Sequence, residues 1–224
     1  MNKIICIFSF IIVFVVTACN ENKSNTNNTG SAEKIDSMNV KKPKTIIFFG
    51  NSLTAGYGID PSEAFPALLQ KRIDSLNFNY KVINAGVSGE TTAGGYGRID
   101  WILKQPVDIF VLELGANDGL RGIPIAETKS NLQSIINKVK AANPNVKIVL
   151  AGMQIPPNMG QHYTSDFRAV FPDLAQKNNI ALIPFILEGV GGEAKLNQED
   201  GIHPTEEGHK LITENIWNVI KDVL

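Results

Sequence analysis

The chain has 224 residues, 43% of them hydrophobic and 19% charged, which suits one ordinary globular domain with or without a tail. A formal net charge of −1 gives no electrostatic reason to expect a nucleic-acid or sulfated-polymer partner. The two cysteines, Cys6 and Cys19, lie too near the N-terminus to staple a domain, and His162, His203 and His209 show no zinc-binding spacing, so no metal site is expected.

Residues 4–16 form an almost unbroken apolar run behind a single lysine. The run is short for a membrane span and right for the apolar part of a signal peptide. It ends in Val16-Thr17-Ala18-Cys19, and small residues before a cysteine resemble the lipobox of bacterial lipoproteins. That resemblance implies cleavage after residue 18, acylation of Cys19, and a place in the cell envelope outside the cytoplasm, held to a membrane by the lipid. A plain secretory signal with a chance cysteine is the bland alternative. Residues 20–42 are rich in Asn, Ser, Thr and Lys and bury too little to offset the entropy of ordering, so 19–43 is expected to be a flexible polar tether. The domain is expected to run from 44 to 224.

Within it, short β-branched runs end at glycine or proline: 45–49 (TIIFF), 81–84 (KVIN), 108–114 (DIFVLEL), 147–151 (KIVLA) and 180–183 (IALI). Such runs are expected of strands buried on both faces. Between them, 62–76, 91–103, 125–142, 165–178 and 205–223 carry apolar residues at helical spacing. Strict alternation of strand and helix predicts an α/β fold, a parallel sheet with helices on both faces. In that architecture ligands bind beyond the carboxyl ends of the strands, so chemistry is sought in the loops 50–58, 85–92, 115–124, 152–164 and 184–204.

The first loop places Ser52 after Gly50 and Asn51, where a helix can begin. Alone, a serine there reads as a helix cap or turn residue. The second contains Gly89, whose bare N–H a substrate oxygen can approach closely, and Ser88, a rival nucleophile whose simpler reading is a turn. The third, Gly115-Ala116-Asn117-Asp118, offers an amide side chain, or merely a turn. The last, Asp200-Gly201-Ile202-His203-Pro204, allows a carboxylate to meet imidazole Nδ1 and present Nε2 as a base; a lone surface histidine is its dull reading. Together the loops change the balance. A serine nucleophile needs an adjacent base, and acyl transfer needs donors for the oxyanion; this chain offers that complete set once.

These four blocks, GNSL around Ser52, GVSGETT around Gly89, GAND around Asn117 and DGIHP with Asp200 and His203, resemble the SGNH (GDSL) hydrolase family in order and over the whole domain. Residues 153–187 are similar to the thioesterase I, lysophospholipase L1 and arylesterase branch. The resemblance implies a flavodoxin-like three-layer α/β/α fold with a five-stranded parallel sheet, and an ester hydrolase acting through an acyl-enzyme. It implies Ser52, Asp200 and His203 as catalytic triad, an oxyanion hole from the Ser52 and Gly89 N–H groups and the Asn117 side chain, and no cofactor. The substrates it implies are small acyl esters, thioesters or lysophospholipids. A carbohydrate O-deacetylase of the same family, and a catalytically silent lipid- or glycan-binding lipoprotein, are the alternatives. Asn51 departs from the family, which usually has Asp there; the amide keeps an acceptor oxygen for the turn but loses the charge. Ile155, Pro156, Pro157, Met159 and Tyr163, with Leu120, Ile123 and Pro124, are candidate walls for an acyl chain.

Overall fold

The computed structural model describes residues 42–224; the expected signal segment, Cys19 and nearly all of the tether lie outside the described residues. Five strands form one sheet: β1 (Lys44–Gly50), β2 (Tyr80–Gly86), β3 (Ile109–Glu113), β4 (Lys147–Ala151) and β5 (Ala181–Ile183). Their order across the sheet is β2-β1-β3-β4-β5, and every pairing is parallel. Strands β1 and β3 are almost wholly buried, which explains their continuous apolar sequence.

The helices are α1 (Ser52–Ala55), α2 (Phe65–Ser75), α3 (Thr92–Ile102), α4 (Ala116–Leu120), α5 (Ile125–Ala142), α6 (Gln161–Asn178) and α7 (Glu206–Ile220), with one 3-10 turn at Pro157–Met159. Helix α2 packs with α7, while α3, α5 and α6 pack in sequence, giving helices on both sides of the sheet. Phe48, Phe49, Phe65, Phe110, Phe167 and Phe171 are the largest side chains sealed between the layers. Burying each contributes a few kcal/mol, roughly 2–3 by area removed from water.

Helix α7 stops at Ile220, short of the expected 223, β2 is longer than expected, and three further differences have a visible cause. Residues 62–64 are turn rather than helix, because Asp60 Oδ1 accepts the Ser62 N–H and Pro66 starts α2 only after Ala64. Helix α6 begins four residues early, at Gln161, behind Gly160 at φ 91°. Residues 116–120, expected within the loop 115–124, form a short helix whose buried Asp118 accepts from the Thr92 N–H and hydroxyl. No helix among the described residues is long and apolar enough to cross a membrane.

The chain leaves β1 and turns to β2 on one side, then places β3 on the other. That reversal opens a crevice at the carboxyl end of β1, where Ser52 stands.

Candidate active site

Ser52 is the first residue of α1. Asn51 caps this short helix, its side-chain oxygen accepting the Leu53 N–H at 2.9 Å. The cap fixes the turn and leaves Ser52 largely buried at the end of the sheet, with its hydroxyl directed toward the β5–α7 loop.

That loop is folded by Asp200. One carboxylate oxygen accepts the N–H groups of Ile202 (2.9 Å) and His203 (3.0 Å), closing the turn. The other lies 2.6 Å from His203 Nδ1. This pairing with His203, chiefly the side-chain bond, lowers the Asp200 pKa to about 2. An ionised Asp200 accepts the Nδ1–H, so Nε2 carries the lone pair. His203 Nε2 stands 2.9 Å from Ser52 Oγ, across 151 positions of sequence.

The oxyanion candidates are placed less uniformly. Asn117 faces the same cavity as Ser52, and its Nδ2 also donates to the Glu90 carbonyl at 3.1 Å. Gly89 takes φ 78° in the turn after β2, a conformation that favours glycine, but it is not part of the cavity wall. Its carbonyl accepts from Arg121 Nη2 at 3.0 Å. Ser88 is exposed on the same turn, and the imidazole is engaged by Ser52 instead. Among the described residues no three His, Cys, Asp or Glu side chains cluster as a metal site.

A cavity of about 460 Å³ opens beside Ser52 and His203. Its walls are mainly apolar and include Leu120, Met153, Ile155, Pro156, Phe185 and Ile202. Of the expected walls, Leu120, Ile155, Pro156 and Pro157 line it, whereas Met159, Tyr163, Ile123 and Pro124 do not. Tyr163 serves packing: its hydroxyl donates to the Ile123 carbonyl at 2.7 Å and its ring lies against Phe167.

Residues 48–211 match the GDSL-like lipase/acylhydrolase family. Esterase TesA of Pseudomonas aeruginosa is 41% identical over 182 residues, covering 81% of this chain and 90% of that protein. Thioesterase 1/protease 1/lysophospholipase L1 of Escherichia coli is 39% identical over 171 residues, covering 76% and 80%. A crystal structure of TesA superposes with a TM-score of 0.78 at 41% identity, over 81% of this chain and all of that one. The chain belongs to the GDSL/SGNH lipase-acylhydrolase family. It is a serine ester hydrolase.

Three features of this SGNH hydrolase were not anticipated from its sequence. Glu113, at the end of β3, is completely buried and accepts from the Asn51 N–H (3.2 Å), Asn51 Nδ2 (2.9 Å) and the Thr54 hydroxyl (2.8 Å). The departure at Asn51 therefore adds a donor toward Glu113 while preserving the cap. Gln198 ties down the histidine loop: its N–H reaches the His203 carbonyl (2.7 Å), and its Nε2 reaches the carbonyls of Tyr57 (2.7 Å) and Pro204 (3.0 Å). The Tyr57 ring lies 4.5 Å, centre to centre, from the imidazole of His203. A lone acid closing an apolar strand was the available signal for Glu113; nothing in the sequence marked Gln198 or Tyr57.

Proposed function

We propose that this SGNH hydrolase cleaves acyl esters and thioesters whose apolar acyl group enters the cavity beside Ser52. One observation carries the reading: a hydroxyl 2.9 Å from a carboxylate-oriented imidazole, at the mouth of an apolar cavity of about 460 Å³. Ser52 Oγ attacks the acyl carbonyl carbon as His203 Nε2 takes its proton. The imidazolium is stabilised by Asp200. The carbonyl oxygen, now negative, is met by the Asn117 amide and by the Ser52 N–H, which line the cavity; the Gly89 N–H, outside the cavity wall, is the third donor that the family resemblance implies. Collapse expels the alkoxide or thiolate, which receives the proton from His203. Water, deprotonated by the same nitrogen, then attacks the acyl-serine; the carboxylic acid leaves and Ser52 is restored.

Esters, thioesters and lysophospholipids share this carbonyl chemistry, and the Escherichia coli relative's name joins thioesterase with lysophospholipase. A fluorophosphonate probe is expected to label the wild type and not Ser52→Ala. Across p-nitrophenyl esters from acetyl to dodecanoyl, kcat/KM is expected to rise with chain length until the cavity is filled. Equal efficiency at all lengths would remove the acyl cavity from the account and favour an O-deacetylase; a wild type that takes no label would leave only a binding role.

We further propose that the enzyme is exported and acylated at Cys19, on the support of the apolar run 4–16 followed by Val16-Thr17-Ala18-Cys19. Incorporation of an alkynyl fatty acid into the full chain, abolished in Cys19→Ala, is the expected result.

A further inference from the structure

We infer that Glu113 is a positioning residue for the nucleophile: its ionised carboxylate holds the turn on both sides of Ser52, and turnover requires that ionisation. The inference rests on the serine hydrolase reading above.

The geometry is one-directional. Asn51 N–H and Nδ2 can only donate, and both point at Glu113. Because Nδ2 is committed there, Asn51 Oδ1 must face the other way, where it accepts the Leu53 N–H and stands 3.5 Å from Ser52 Oγ. Thr54, on the far side of Ser52, donates to the same carboxylate. One buried acceptor thus sets the rotamer of the cap, the backbone before the nucleophile and the helix turn after it. A proton on Glu113 finds only the Thr54 hydroxyl able to reverse and accept it, which disturbs the oxygen shared with the Asn51 N–H.

The surroundings are closed. A side-chain carbon on Gly50 would collide with both Thr54 Oγ1 and the Glu113 carboxylate, so glycine is required for the acid to reach the turn. From β1 and α1 the carboxylate meets only neutral groups. The ionisable groups of the adjoining elements pair with other partners: Arg98 of α3 with Glu90, its Nη2 also reaching the Gly50 carbonyl at 3.4 Å, Asp118 of α4 with Thr92, and His203 with Asp200. Burial without a counter-ion pushes the Glu113 pKa up to about 7, which puts its titration where the enzyme would work. A buried acid kept at such cost is unexpected of a space-filling residue.

The test compares kcat and KM against pH, with fluorophosphonate labelling rates, in wild type, Glu113→Gln and the double variant Asn51→Asp/Glu113→Gln. Wild type is expected to lose kcat/KM at acid pH more steeply than one proton allows, with protonation of Glu113 contributing to the limb. In Glu113→Gln, the amide oxygen can still serve Thr54 and the Asn51 N–H, but the new amide nitrogen meets Asn51 Nδ2 donor to donor. We expect kcat to fall about 10- to 100-fold, KM to stay within about threefold, Tm at pH 8 to be retained, and the acid limb to become single-proton. In the double variant the carboxylate introduced at position 51 accepts from the amide introduced at position 113, and at least about fivefold of the lost kcat should return. Glu113→Asp, charged but shorter, should lower kcat while keeping the two-proton limb. A Glu113→Gln enzyme with wild-type kcat and acid limb overturns the inference; so does a double variant with no recovery, or a one-proton limb in Glu113→Asp. If the wild type fails to label at all, it is the hydrolase reading that falls; a labelled wild type matched in rate by Glu113→Gln at every pH removes the role of Glu113 alone.

Discussion

Asp200 serves three bonds with two oxygens: one oxygen accepts two N–H groups and folds its own loop, the other orients His203. With its pKa lowered to about 2, it stays ionised throughout any plausible working range, so the pH dependence of turnover falls to other groups. Asp200→Asn should therefore keep the fold and lose kcat on the order of 10³- to 10⁴-fold, by presenting the wrong imidazole tautomer to Ser52. Asn117→Ala removes the amide proposed as an oxyanion donor and should cost on the order of 10²-fold in kcat with little change in KM; steady-state kinetics on an aryl ester reads both. Ser52, Asn117, Asp200 and His203 could be picked out in the sequence because acyl transfer demands those residue types at the ends of strands. Glu113 was not, since its partners are backbone and side-chain donors 59 and more positions away, and its one signal, an acid after an apolar run, reads equally as a strand that has reached water.

At the scale of elements, all five strands were legible, but only β1, β3 and β4 for the reason expected, burial that demands an apolar sequence throughout; the edge strands β2 and β5 are only partly buried and showed themselves by β-branched residues ahead of glycine or proline. The short helix α4 was not. Its five residues, Ala116–Leu120, contain Asn, Asp and Gly, which favour turns; the helix stands because Asp118 is buried against Thr92. The wall formed by Met153 and Phe185 also escaped notice, since only the meeting of the loops after β4 and β5 puts them on one cavity. The histidine loop depends on a similar long-range tie. Gln198→Ala deletes its side-chain bonds to Tyr57 and Pro204 and should lower kcat about tenfold through misplacement of His203, with a small change in Tm. An enzyme with unchanged kcat would show that the backbone bond from Gln198 to His203 suffices.

For the whole molecule, the sheet order β2-β1-β3-β4-β5 brings every chemical loop to one edge, and this followed from the alternation of strands and helices together with the family motifs. The same molecule carries two opposed titrations. Glu113, raised from 4.5 to about 7, holds a proton when folded that it gives up when unfolded; its contribution to stability is present below pH 4.5 and lost as pH rises through 7. His209 accepts the Phe65 N–H in the interior, and burial lowers its pKa from 6.5 to about 4; its contribution is present above pH 6.5 and lost as pH falls through 4. Between 4.5 and 6.5 the two slopes oppose each other. Calorimetry should find the wild-type Tm nearly level there, while in Glu113→Gln it should decline as pH falls from 6.5 to 4.5.

The account turns on one covalent event, the transfer of an acyl group to Ser52 under the control of His203. Acid quenching during turnover of an aryl ester, followed by peptide mapping, tests it directly. The acyl mass should appear on the peptide containing Ser52, and His203→Ala should abolish it. Turnover with no adduct, or an adduct on Ser88, would contradict the account.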